Sequence, residues 1–206
     1  MEATLYRRIE EGLIECGVCQ HRCRIQAGKT GFCRQRKSDG NVLWLNDSLS
    51  SACIDPIEKK PLYHFHPGSR VLSLGGIGCN FRCRHCQNWS ISQSDHQTGQ
   101  WLSPAEAVRI AAEEGCGGIA WTYNEPTMWF EYALEGMRLA KEAGLYTVFV
   151  TNGFMTLEAL DLMAPYLDAF RVDLKGFSDR AYAELCRIQG WKGILDVAMR
   201  AKQRGM

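Results

Sequence analysis

Long apolar runs are missing from this chain of 206 residues. Its most strand-like apolar stretch, Leu145 to Val150, falls far short of the roughly 18 to 20 residues that a membrane helix needs. The opening segment, Met1 to Arg8, has no apolar core of the kind a secretory signal carries. An excess of either charge is missing too: 24 Lys and Arg face 23 Asp and Glu, for a formal net charge of +1. Such a balance gives no global reason to expect nucleic acid, an anionic membrane or an acidic partner. Neither a sequence repeat nor a low-complexity tract occurs. With 46% hydrophobic and 23% charged residues, disorder and collagen-like structure are excluded. The expectation is a soluble, cytoplasmic chain of one domain, or one domain with a small appendage.

What the chain has in plenty is cysteine, at ten residues. Four are grouped at Cys16, Cys19, Cys23 and Cys33, and three at Cys79, Cys83 and Cys86. Cys53, Cys116 and Cys186 stand alone and read as buried small hydrophobes. In a reducing compartment, thiols clustered this tightly are more often metal ligands than disulfide partners.

The chain divides near residue 68. Residues 1–68 are rich in Gly, Cys and basic side chains and close on Pro56, Pro61, Pro67 and Gly68. A unit of that kind buries little core, so a bound metal is the expected staple. Residues 69–206 alternate strand and helix. Val71–Leu74 reads as a first strand. Ser103-Pro104-Ala105-Glu106 follows as a helix start, with Ser103 as N-cap and Pro104 at the first helical position. Further strands are expected at Gly118–Thr122, Tyr146–Thr151 and Ala169–Leu174. Further helices are expected over the Phe130–Ala140 stripe and near 156–164, 178–187 and 194–204. That alternation predicts right-handed βαβ units and a parallel sheet, an α/β fold of partial TIM-like (β/α) barrel type. Only four strands are visible, whereas an eight-stranded barrel takes about 250 residues. The chain is therefore expected to be a piece of something longer.

Cys79-Asn80-Phe81-Arg82-Cys83-Arg84-His85-Cys86 has the spacing C-x3-C-x2-C and follows the first strand, at the end where barrel active sites form. Three thiolates in one loop can hold three irons of a 4Fe-4S cluster, leaving the fourth open to a small-molecule chelator. A zinc site completed by His85 is the alternative, made awkward by the position of His85 between two of the cysteines.

A C-x3-C-x2-C loop after the first strand of a βα barrel resembles the radical S-adenosylmethionine (SAM) superfamily. Asp55-Pro56-Ile57-Glu58-Lys59-Lys60-Pro61-Leu62-Tyr63-His64-Phe65, Gly78-Cys79-Asn80-Phe81, Cys86-Gln87-Asn88-Trp89 and Tyr123-Asn124-Glu125-Pro126 extend the likeness to the radical SAM member of the AmmeMemoRadiSam system, a group similar to pyruvate formate-lyase activating enzymes. That family continues through further strands, whereas this chain stops at Met206.

The resemblance implies a radical SAM oxidoreductase. Cys79, Cys83 and Cys86 would hold the cluster, and SAM would chelate the open iron. Reductive cleavage would give methionine and a 5′-deoxyadenosyl radical that abstracts a substrate hydrogen. Its partners would be an electron donor such as flavodoxin or ferredoxin, and a protein substrate or a Memo-system partner; a glycyl-radical enzyme is one version of the target. His85 would pack near adenine or stand as a surface histidine. Asn124 and Glu125 match the amino-group-binding segment, or form a plain turn before a helix. Asn152, in Thr151-Asn152-Gly153, matches a SAM-contacting segment that an ordinary strand-to-helix turn would also use. Asp173 and Lys175 would share a face of the fourth strand and meet the SAM ammonium and carboxylate, or else each other. The activating enzymes carry an acid just before the Thr-Asn-Gly segment; Val150 stands there in this chain.

Cys16-x2-Cys19-x3-Cys23-x9-Cys33 offers four thiols, enough for zinc or a second Fe–S cluster. Arg22, Arg24, Lys29, Arg34, Arg36 and Lys37 lie along this segment with no acid between Cys16 and Lys37. That run is either a solvated face, a docking patch for an acidic electron donor, or the contact of a non-enzymatic zinc-binding nucleic-acid module, which is the competing reading of the whole chain.

Overall fold

The structure is a computed structural model that describes residues 1–94 and 99–206. A five-stranded sheet organises it. Four parallel strands, β7 (Arg70–Gly75), β8 (Gly118–Trp121), β9 (Tyr146–Thr151) and β10 (Ala169–Val172), lie in chain order, and β6 (Ser51–Pro56) pairs antiparallel with the outer side of β7. The sheet thus runs across the boundary expected near residue 68. Ahead of it, β1 (Tyr6–Glu10), β2 (Leu13–Cys16) and β3 (Arg24–Gln26) form an antiparallel sheet, while β4 (Arg36–Ser38) and β5 (Leu43–Leu45) form a hairpin. The helices are α1 (Trp89–Ser92), α2 (Pro104–Glu113), α3 (Phe130–Glu142), α4 (Leu157–Met163), α5 (Asp179–Cys186) and α6 (Lys192–Gln203). None of the helices among the described residues is long and apolar enough to cross a membrane.

The period of two in the strands sorts their side chains between two cores. Leu72, Leu74, Ile119, Trp121 and Phe149 pack outward with Ala133, Met137 and Val197 of the helices. Val71, Ala120, Tyr146, Val148 and Ala169 point to the inner face, where Ile57, Leu62 and Phe65, from the segment after β6, cover them. Local signals act as expected: the Ser103 hydroxyl accepts the Glu106 amide at 3.1 Å, and Gly115 (φ +67°) and Gly144 (φ +73°) turn the chain out of α2 and α3.

The N-terminal region is welded to the barrel portion. Arg36, with no exposed surface, forms a two-armed ion pair with Glu131 of α3 (3.0 and 2.5 Å), and Glu131 also accepts the Thr4 amide at 2.9 Å. The Thr156 hydroxyl, which caps α4, donates to the carbonyl of Gly17 at 2.8 Å, and Gln20 Nε2 donates to that of Met155 at 2.9 Å.

Three expectations need correction. The fourth strand stops at Val172, so Asp173 and Lys175 lie just beyond it and not within it. Cys53 is exposed on β6, unlike the buried Cys116 and Cys186. The basic run is no continuous face: Arg36 is buried on Glu131, Arg22 pairs with Glu158 at 2.6 Å, and Arg24 lies 3.8 Å from Glu15. The acids missing from that stretch of sequence are supplied by other segments.

Candidate active site

At the C-terminal end of β7 the chain passes through Gly76 and Gly78 into the cysteine loop. At Gly76 a Cβ would come 2.8 Å from the Trp129 ring. Gly78 adopts φ +87° with the Gln35 side chain filling the space a Cβ would take, so the loop starts in a conformation few residues but glycine adopt. Asn124, just past β8, fixes this turn by donating from Nδ2 to the carbonyls of Gly76 (3.0 Å) and Gly78 (2.7 Å).

Cys79, Cys83 and Cys86 are half-buried free thiols facing one cavity of about 600 Å³. His85, Asn124, Glu125, Asn152, Asp173 and Lys175 line the same cavity, so every barrel residue singled out in the sequence is brought to one place. Burial, reinforced by the nearby Glu125, pushes the Cys79 thiol well above its ordinary range. The neighbouring Cys186 of α5 raises Cys83, with burial adding to the effect, and is itself lowered. His85 is exposed at the rim.

Glu125 is buried and occupied by its own neighbours. Its Oε1 accepts from Thr127 N (3.0 Å) and Thr151 Oγ1 (2.7 Å), and Oε2 accepts from Asn152 N (2.8 Å), which ties the ends of β8 and β9 together. Burial raises its pKa against the lowering effect of these donors. Asn152 Nδ2 in turn donates to Asn80 Oδ1 at 2.7 Å and holds the cysteine loop to β9. Asp173 accepts from Lys175 Nζ at 3.0 Å and also pairs with Arg171, so both expected charges are partnered within the chain.

The residues fit the group that the sequence implies. Three thiols, none in a disulfide, face a cavity that Asn124 also lines, and Asn124 Oδ1 is a buried acceptor with no hydrogen-bond partner among the described residues. Among the described residues, no three His, Cys, Asp or Glu side chains are gathered tightly enough to share one ion, in this loop or among the N-terminal cysteines. Of those, Cys16, Cys19 and Cys33 are buried and Cys23 is half-buried, with burial raising all four thiols.

The N-terminal region backs the loop from outside. His21 Nε2 lies 2.8 Å from the Asn80 carbonyl oxygen, and the Arg82 guanidinium stacks on Phe32 at 4.6 Å and donates to its carbonyl at 2.5 Å. His21 and Gln35 carry no motif of their own, and contact across the fold alone reveals them; Asn80 stands inside the quoted cysteine-loop motif, which does not show what it holds. Lys60, Tyr123 and Arg171 also line the cavity. Lys60 and Tyr123 stand in the motifs quoted above, yet nothing in their spacing marks them as facing the site.

A half-barrel of parallel strands with a three-cysteine loop at the end of its first strand defines a radical SAM architecture. The comparisons agree: the sequence profile of the Radical SAM superfamily matches residues 74–206, and the chain belongs to that family. It is 38% identical over 209 residues to an uncharacterised protein of Methanocaldococcus jannaschii, covering 100% of this chain and 62% of that one. A second protein of that organism, carrying the name of a glycyl-radical enzyme activating enzyme, is 26% identical over 154 residues, covering 74% of this chain and 58% of that one. This chain therefore spans between about half and three-fifths of the curated relatives it matches. Among solved structures, Streptococcus suis SuiB bound to precursor peptide SuiA is similar at a TM-score of 0.49 and 16% identity, over 66% of this chain and 30% of that one.

Proposed function

We propose that this chain binds a 4Fe-4S cluster on Cys79, Cys83 and Cys86 and uses it for reductive cleavage of SAM. The observation that carries the reading is the convergence of three free thiols and Asn124 on one cavity of a radical SAM fold. When bound, the cluster and SAM supply the radical that abstracts a hydrogen from the substrate. The chain's own residues bind and orient. Asn124 offers its free oxygen to the SAM ammonium while its amide fixes the glycine turn. Lys175, beside Asp173, offers a cation to the SAM carboxylate. Glu125 and Asn152 act as positioning residues by locking the loop against β9.

The activating-enzyme version, in which the hydrogen comes from a glycine of a partner protein, is supported by the name of the relative at 26% identity. It calls for a reductant such as flavodoxin or ferredoxin and for a protein target. The AmmeMemoRadiSam grouping rests on the motifs around Asp55–Phe65 and Tyr123–Pro126. The N-terminal cysteines are proposed as a second metal–thiolate site, zinc and Fe–S being told apart by metal analysis.

The test is iron, zinc and acid-labile sulfide on anaerobically purified protein, followed by 5′-deoxyadenosine release with dithionite. About four irons and four sulfides per chain on the loop are expected. Cys83→Ala should abolish release while the far-UV circular dichroism stays unchanged. Release retained in that variant would overturn the ligand assignment.

A further inference from the structure

The cavity has a second polar wall that the SAM reading leaves unused. Lys60, at the end of the short helix following β6, has a side chain only 3% exposed, yet it lines the cavity. Its ammonium lies 2.8 Å from Asp55 Oδ2 and 4.8 Å from the centre of the Tyr123 ring. Asp55 must also serve Lys59 Nζ at 2.6 Å and the Tyr123 hydroxyl at 2.9 Å. One carboxylate therefore answers two ammonium groups. The arrangement repeats at the opposite edge of the sheet, where Asp173 answers both Arg171 and Lys175. Four cations thus share two aspartates around a single cavity, where both oxygens of Glu125 are taken up by donors from Thr127, Thr151 and Asn152.

The segment after β6 crosses the inner face of the sheet through Ile57, Leu62 and Phe65, and Tyr63 lies within electrostatic reach of Arg171. Tyr123 is held at φ +72°, where a bulky residue rarely sits, with its carbonyl accepting from Asn88 Nδ2 and its hydroxyl on Asp55. Strain of this kind persists where the surroundings over-determine it, and here it turns the phenol into the charged network. Burial pushes Lys60 below its ordinary value against the opposing pull of Asp55, and burial lowers Arg171 as well. An incoming anion would be drawn to this concentration of cations.

We infer that Lys60 and Arg171 form an oxyanion subsite, and that the substrate of this site is a small molecule carrying a carboxylate or phosphate, with Lys175 left to the SAM carboxylate. The inference rests on the radical SAM reading of the cavity. It favours a small acid over the neutral backbone of a peptide glycine.

The experiment measures binding of malonate, inorganic phosphate and dimethyl malonate by calorimetry to the anaerobically purified chain without SAM. Iron content is recorded on each preparation. Malonate or phosphate should bind, and the diester should not. Arg171→Gln should raise the dissociation constant at least 10-fold. The pair Lys60→Met with Asp55→Asn, which removes the ion pair without stranding a buried charge, should do the same. Arg171 is half-buried at the cavity edge, so its variant keeps the test open if the double variant does not fold. The anion that binds tighter identifies the acid class. Absence of binding by either anion, affinity unchanged in a folded variant, or a diester that binds as well as malonate would overturn the inference. Iron present without anion binding defeats this inference alone, whereas anion binding without iron defeats the cluster reading alone.

Discussion

Arg36→Met strikes the ion pair that joins the N-terminal region to α3. Arg36 has 1% and Glu131 4% of its side chain exposed, so neither charge reaches water once its partner is gone. Removing one member of such a buried pair costs about 3–5 kcal/mol, because the other is stranded. The Thr4 amide would still donate to Glu131, which places the loss toward the lower end of that range. Against a typical stability of about 5–15 kcal/mol, this is a large fraction. Glu131→Gln should cost a similar amount by stranding the guanidinium. The double variant should be about 2–3 kcal/mol more stable than the sum of the two singles. Urea unfolding at neutral pH, read at constant slope, gives all three numbers. The pair also sets a pH dependence. Burial alone would raise Glu131, but the Arg36 charge outweighs it and leaves the folded pKa below the ordinary 4.5. Its contribution is therefore complete above about pH 4.5 and fades as pH falls through the lowered folded value. A loss under about 1 kcal/mol for Arg36→Met, or a double variant that is simply additive, would refute the assignment of the pair as a linchpin.

Gly78→Ala should cost about 1–2 kcal/mol from its left-handed backbone alone. It should also lower iron per chain by displacing the loop from Gln35; full iron loading would argue that the turn is not needed for the ligands. Thr156→Val removes both the α4 cap and the bond to Gly17, for an expected loss of about 1–2 kcal/mol in thermal or urea unfolding. Asn124→Leu should weaken SAM binding at least 10-fold by equilibrium dialysis, and unchanged affinity would take the SAM ammonium away from this residue.

Residues with a local signature were legible in the sequence. Ser103-Pro104, Gly115 and Gly144 mark helix ends by backbone chemistry that needs no partner. The largely apolar runs of β7 to β9 follow from burial on two faces. The three-cysteine loop is legible because its ligands sit within eight residues. What escaped depends on distant partners. The acids that bury or pair Arg36 and Arg22 come from Glu131 and Glu158, each more than ninety positions away. The six-residue β6 ends on Pro56, and its place in the main sheet is set by antiparallel pairing with β7, which no local signal shows. The period of two puts Asp173 and Lys175 on the fourth strand, but it does not show that pairing with β9 stops at Val172.

The grip of His21, Phe32 and Gln35 on the back of the cysteine loop bears on where this protein can be cut. The family-matching segment, 74–206, contains every proposed ligand of the first cluster, and it looks portable on that account. Yet the turn at Gly78 leans on Gln35, the Asn80 carbonyl on His21, and Arg82 on Phe32, all outside the segment. A proteolytic nick or a transplanted barrel lacking residues 1–50 would keep the three cysteines and lose the mould that shapes them. The smallest unit able to preserve this site is therefore larger than the stretch by which its family is recognised.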